Sequence, residues 1–208
     1  MTLPLNETHQ HPVTSHRVQN GQAAITLNLP GEAGVWLLVM GDMLMFSCLF
    51  VVFTWYRSGD PGGFAASASL LNQDFGLLNT VLMLTSSWFV VLAVRGAHAS
   101  RPRVCVAMFT LAFLCGLSFV VSKTFEWSEK IGDGHTMMSN DFFMFYYVLT
   151  GLHCLHVILG LGVLAIMIVL ARTRGHGAPL QLFESGATFW HMVDLLWIIL
   201  FPLLYIVR

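Results

Sequence analysis

His191 and Asp194 lie three residues apart in FWHMVDLLWIILFPLLYIV, and His153 and His156 lie three apart in TGLHCLHVILG. Residues three apart on a helix share a face, so each pair offers two polar groups to a single neighbour. Glu184, two turns before His191, extends the His191–Asp194 pair into a stripe. Asp42 is the lone charge in a further apolar run, VMGDMLMF. Imidazole and carboxylate at such spacings can ligate a metal, relay a proton, or hold adjacent helices together by hydrogen bonds.

Three chemistries compete for these residues. In the first, His153 or His156 faces His191 across a bundle and the two ligate a haem or another metal, making the chain a self-sufficient membrane haem protein. HxxH is a weak signal, and His191 is the one histidine available on another apolar run. In the second, the carboxylates and histidines line a proton or ion path and the chain is a transporter. Transporters commonly break their helices at mid-membrane, and no break precedes Pro202 here. In the third, the stripes are structural, bonding helix to helix, holding lipid head groups or docking a larger partner. Buried polar groups in lipid must find partners, and this third reading asks for nothing more.

The elements that position these residues are apolar runs. Hydrophobic residues make up 56% of the 208 and charged residues 10%, with mean hydropathy +0.70. A soluble domain carries roughly 25% charged residues, so this chain lacks the polar surface to cover itself in water. A net charge of −1 provides no basic footprint, and no nucleic acid is expected among its partners. The runs are Gly34–Tyr56, Phe75–Val94, Val104–Ser122, Phe142–Leu170 and Ala187–Val207, each near or above the roughly 20 residues that span a bilayer. The expected fold is therefore all-α, a bundle of five transmembrane helices over residues 31–208. Residues 1–30 read as a polar, disordered tail carrying His9, His11 and His16. The four cysteines fall inside apolar runs without metal-ligand spacing and read as packing residues.

Orientation follows from charge. Arg95, Arg101 and Arg103 separate the second and third runs, and Arg172 and Arg174 follow the fourth. These connections and the N-terminus are expected in the cytoplasm, and the C-terminus outside. The segment between the third and fourth runs, with Glu126, Glu129, Asp133 and Asp141 against Lys123 and Lys130, is expected to be an outer-face loop. At roughly 1.5 Å per residue, Asp42 lies about 12 Å from the cytoplasmic end of its helix, and His191 and Asp194 about 6–10 Å from theirs. Asp42, His156, His191 and Asp194 would meet if the first, fourth and fifth spans pack together.

Several stretches together resemble subunit III of the haem-copper oxidases. FESGATFWHMVDLLWIILFPLLYIV is similar to that family's last helix, TGLHCLHVILG to the helix before it, LLNT (Leu77–Thr80) to its second shared helix, and FEWSEKIGDG to the stretch after its third. Many members have seven helices, and this chain resembles the short form lacking the first two. The opening PGEAGVW…GDMLMF and the ending resemble most the NorE-type branch found beside nitric oxide reductases. Asp42 stands where the family often has Glu, which moves the carboxylate by about one methylene. The resemblance implies a bundle with a lipid-filled cleft, docked on a catalytic subunit. It implies no catalysis and no haem or copper in this chain. Haem with copper or non-haem iron would belong to the partner, a haem-copper oxidase or a nitric oxide reductase. It implies that Asp42, His153, His156, Glu184, His191 and Asp194 form a buried polar layer touching lipid or partner, supporting the stability and proton supply of the catalytic neighbour. The assembly the resemblance points to is a nitric oxide reductase complex in the cell inner membrane, and an oxygen-reducing cytochrome c or quinol oxidase is the alternative.

Overall fold

The computed structural model describes residues 33–177 and 179–206; the N-terminal histidines lie outside them. The described chain is all helical: α1 (Ala33–Gly59), a short α2 (Pro61–Ala68), α3 (Gln73–His98), α4 (Pro102–Gly132), α5 (Asp141–Arg174) and α6 (Leu180–Phe201), the last followed by a π turn over Pro202–Ile206. Five of these helices are long and apolar enough to cross a membrane.

Local chemistry sets the boundaries. Asp60 caps α2 by accepting from the Gly63 amide, with Pro61 in the first turn, where a missing N–H costs nothing. Asn72 and Asn140 cap α3 and α5, accepting from the Asp74 and Phe143 amides. Asn140 also donates to the Ser67 hydroxyl at 2.9 Å, tying α2 to the start of α5. Gly175, at φ +52, ends α5 in a conformation that only glycine adopts cheaply.

α3 to α6 pack against one another around the core, and α1 leans on α5 and α6 from outside. α1 inserts Phe46 and Phe53, both essentially inaccessible, and leaves Leu37, Leu44, Val51 and Trp55 exposed. Phe46 meets the His156 ring edge-on at 5.5 Å, and Phe53 meets Phe145 likewise at 5.7 Å. An apolar outer surface of this kind suits lipid, where exposure of Leu or Val carries no penalty. In the centre, Trp190 of α6 lies between Gly116 of α4 and Gly160 of α5. A Cβ on either glycine would stand 2.7 Å from the indole. Gly160 therefore admits a ring rather than a neighbouring backbone. Gly162 has nothing within 4 Å of where a methyl group would stand, and Gly151 would meet only Trp127, at 4.0 Å.

The third span differs most from expectation. It does not end at Ser122 but runs ten residues further, to Gly132. Its buried positions are Cys105, Phe109, Ala112, Gly116, Phe119, Lys123, Glu126 and Lys130. Those spacings alternate four and three without interruption, so the charged residues continue the apolar stripe into the core. Glu126 thus belongs to a helix interior and not to a loop. Asp133 sits just past the helix end, with its side chain about half exposed at 3.4 Å from Lys130.

Candidate functional site

The polar residues inside the bundle form separate clasps between helices. Asp42 of α1 reaches His156 of α5, with Oδ2 3.5 Å from Nε2. The same imidazole contacts the Leu152 carbonyl through Nδ1 at 2.7 Å. A carbonyl only accepts, so Nδ1 carries a hydrogen, and Nε2 then faces a carboxylate. That arrangement is attractive only with a proton on Nε2 or on the carboxyl group.

His191 of α6 turns elsewhere. Its Nδ1 is hydrogen-bonded to the Ser87 hydroxyl of α3, and Ser87 also addresses the Asp194 carboxylate. The carboxylate approaches the serine and not the imidazole, so it does not orient the histidine as a hydrolytic triad requires. Asp194 is 5% exposed, and its Oδ1 makes no hydrogen bond among the described residues. Glu184 pairs with His98 at the end of α3, 3.1 Å away. The α6 stripe thus faces α3, while Leu195, Ile198 and Ile199 on its other side are exposed.

Of the four residues expected to meet, the structure joins Asp42 to His156 and directs His191 and Asp194 to Ser87. The reason is that α3 packs against α6 along its length and takes the polar face, leaving α1 to α5 and the outer side of α6. His153 is fully buried between aromatic rings, 5.5 Å from Phe119 and 5.2 Å from Trp197 by ring centroids. Neither ring nitrogen makes a hydrogen bond among the described residues. With His153 enclosed by rings and His191 bound to Ser87, the two imidazoles do not address a common centre. Among the described residues, no group of three His, Cys, Asp or Glu side chains is placed to hold a metal.

The most developed polar group is one that reading the sequence missed. Lys123 and Glu126 of α4 are 0% exposed. The ammonium donates to Glu126 Oε2 at 3.0 Å, to the Tyr146 hydroxyl of α5 at 3.1 Å and to the Tyr205 hydroxyl of the π turn at 2.6 Å. Both tyrosines in turn donate to Glu126 Oε1, Tyr146 at 2.8 Å. All three ammonium hydrogens are used, and each hydroxyl both accepts and donates, so the network closes on itself. The Trp197, Tyr146 and Tyr205 rings surround the ammonium at 4.7–5.4 Å. Gln73 of α3 donates to the Tyr205 carbonyl at 2.8 Å, which brings a fourth helix to the same end. The Trp197 indole N–H donates to Thr80 of the LLNT stretch at 3.0 Å. The available signal was periodicity, since Lys123, Glu126 and Lys130 continue the spacing of the preceding core residues.

Chemically, these are clasps that hold helices in register.

The chain matches the family described as Cytochrome c oxidase subunit III over residues 10–208. It is 28% identical over 177 residues to Cytochrome bo(3) ubiquinol oxidase subunit 3 of Pseudomonas aeruginosa, covering 83% of each chain. It is 29% identical over 177 residues to Cytochrome c oxidase subunit 3 of Alkalihalophilus pseudofirmus, covering 83% of this chain and 84% of that one. It is also 27% identical over 186 residues to Heme-copper oxidase subunit I+III of Aeropyrum pernix, covering 85% of this chain but 22% of that much longer protein.

Proposed function

Because the chain belongs to the cytochrome c oxidase subunit III family, we propose that it is the membrane-embedded third subunit of an oxygen-reducing haem-copper oxidase, docked on the catalytic subunit. Family membership makes it a non-catalytic, multi-pass subunit of an oxidase complex. The match across residues 10–208 carries the proposal. The geometry supports it, because Asp42 with His156, His191 with Ser87, and Lys123 and Glu126 with Tyr146 and Tyr205 join helix to helix. The Aeropyrum pernix relative, whose name joins subunits I and III in one chain, favours subunit I as the neighbour. Haem and copper then belong to that neighbour, and this chain contributes a rigid wall beside it.

The relatives favour oxygen over nitric oxide as the acceptor, since the three compared are named for cytochrome c, quinol or haem-copper oxidases. A nitric oxide reductase partner is the second reading, supported only by the likeness of the GDMLMF opening and the C-terminal stretch to the NorE-type branch. Asp42, His153, His156, Glu184, His191 and Asp194 are proposed as groups that set helix register, with Asp42 and His156 closest to the outer surface of α1.

The test is to purify a tagged chain in mild detergent and identify what comes with it by mass spectrometry and haem spectrum. A haem- and copper-bearing catalytic subunit with oxygen uptake is the expected result. A haem and non-haem-iron subunit that consumes nitric oxide would move the second reading to first place. A folded chain eluting alone, with no haem protein in any fraction, would overturn both.

A further inference from the structure

Asn79, in the LLNT stretch of α3, is 0% exposed, and neither its carboxamide oxygen nor its nitrogen makes a hydrogen bond among the described residues. Both atoms are idle, so turning the amide over changes nothing. Its surroundings are otherwise well fixed. Gly76, one turn before it, is closed over by Phe201 and Tyr205, which a Cβ there would approach to 2.7 and 3.0 Å. Thr80, the next residue, accepts from the Trp197 indole. Tyr205 and Trp197 are two of the three rings around the Lys123 ammonium, so Asn79 stands at the level of that network.

α4 carries a second idle group at the same level. Ser118, Thr124 and Ser128 each return their hydroxyl to the carbonyl four residues back, the usual recourse of a hydroxyl in an apolar helix. Ser122 does not: its Oγ is buried and makes no hydrogen bond among the described residues. Helix geometry sets its direction. Ser122 follows Val104 by eighteen residues, five turns at about 3.6 residues each. Val104 packs against Gly96 of α3, 3.3 Å from where a Cβ would stand, so Ser122 lies on the side of α4 that faces α3. The antiparallel register agrees. Ser86 Oγ donates to the Ala112 carbonyl, and seven residues along each helix from that contact stand Asn79 and Phe119, with Ser122 one turn beyond.

An amide and a hydroxyl sealed inside a lipid-embedded bundle have to be paired by something. The guest has to accept from the carboxamide N–H and donate to its carbonyl, and a bare ion cannot do both. At 0% exposure of Asn79 it also has to be small. We propose that Asn79 and Ser122 hold internal water, one molecule or a hydrogen-bonded pair, between α3 and α4 beside the Lys123–Glu126 ring. Two carboxamide atoms and one hydroxyl supply the about three partners that a buried water takes. A water bridge of this kind ties two helices nearly as well as a direct hydrogen bond. It gives the LLNT asparagine a role that the direct clasps leave open. It rests on the α3–α4 packing alone and is independent of the oxidase reading.

The test uses the full chain as it purifies, alone or with its partners. The first readout is density: a structure at a resolution that shows ordered water is expected to place a peak within hydrogen-bond distance of Asn79 and Ser122. A peak-free contact, or a direct Asn79–Ser122 hydrogen bond, would overturn the proposal. The second readout is thermal unfolding followed by circular dichroism. Asn79→Leu and Ser122→Ala are each expected to lower the melting temperature by roughly 2–8 °C, because each strips a partner from the water. The two changes together remove the site altogether, so the double variant is expected to lose less than the sum of the singles. A higher melting temperature for Asn79→Leu would mean that a dry, unpaired amide had been relieved, and strictly additive losses would mean that the two groups share nothing; either result overturns the bridge. The density readout needs no variant, and it decides alone if Asn79→Leu does not accumulate.

Discussion

Removing the Lys123 ammonium while keeping its length, as in Lys123→Met, tests whether the closed network near the C-terminal end of α4 holds the bundle together. At 3.0 Å from Glu126 Oε2, and with an effective dielectric near 20, the direct attraction is about 5 kcal/mol. Desolvation of both charges offsets much of it, so the intact pair contributes little net stability over apolar residues. The single variant is different. It leaves Glu126 at 0% exposure with only the Tyr146 and Tyr205 hydroxyls as donors and no cation. Breaking a buried pair from one side costs about 3–5 kcal/mol. Glu126→Gln strands the ammonium and should cost a similar amount. In Lys123→Met/Glu126→Gln no charge remains, and the Gln carbonyl still accepts from both tyrosines, so the double variant should cost about 1–3 kcal/mol. The cycle therefore predicts coupling of several kcal/mol, with the double variant more stable than either single. At about 2–4 °C per kcal/mol for a chain of this size, each single variant should unfold roughly 6–20 °C below the parent in detergent, and the double variant less far below. Thermal unfolding followed by circular dichroism measures all four proteins. Additive losses, or a Lys123→Met variant within about 1 °C of the parent, would refute the argument that the network is a dry, closed ion pair.

Gly116→Ala and Gly160→Ala each press a methyl group into the Trp190 indole; each should cost about 1–3 kcal/mol by overpacking, read as a drop in the same melting temperature. Replacing Trp190 with Leu in the Gly160→Ala background should recover part of that loss, and no recovery would show that the clash lies elsewhere. Asp42→Asn removes a partly exposed charge whose contact with His156 is 3.5 Å long, so membrane accumulation of the chain should be unchanged, as measured by immunoblot of the membrane fraction. Complete loss of accumulation would instead make Asp42 an essential member of the α1–α5 contact. His191→Leu leaves the Ser87 hydroxyl without its imidazole partner beside a buried carboxylate, and should cost about 1–3 kcal/mol. Weakened co-purification of the catalytic neighbour is the expected readout, and undiminished recovery of the complex would separate this clasp from assembly.

Much of the architecture was legible because lipid imposes a simple rule. Long apolar runs must be helices, since only a helix satisfies its own backbone there, and all five expected spans are present. Caps at Asn72 and Asn140 and the stop at Gly175 are written in residue types. The short α2 was not foreseen, because its glycine- and alanine-rich segment has little apolar patterning of its own and is held by Asn140 from a distant part of the chain. The true end of α4 was missed for another reason. Charge in a sequence reads as the mark of a loop, whereas Lys123 and Glu126 hold the spacing of Phe109, Ala112, Gly116 and Phe119.

The sequence by itself determined the solvent, the number of spans, the helical faces and the family, because each depends on composition, local periodicity or a continuous motif. It also placed His153 with His156 and His191 with Asp194, since residues three apart on one helix are neighbours wherever that helix goes. Partners across helices were decided only by tertiary structure. That Asp42 meets His156, that His191 meets Ser87, and that Tyr146 and Tyr205 close a ring around Lys123 and Glu126 all depend on which helix faces which. In lipid every apolar face is nearly equivalent, so hydrophobic pattern cannot choose among arrangements. The choice falls to close packing at Gly116 and Gly160 and to a few polar atoms that must find one another, and those are properties of the assembled bundle.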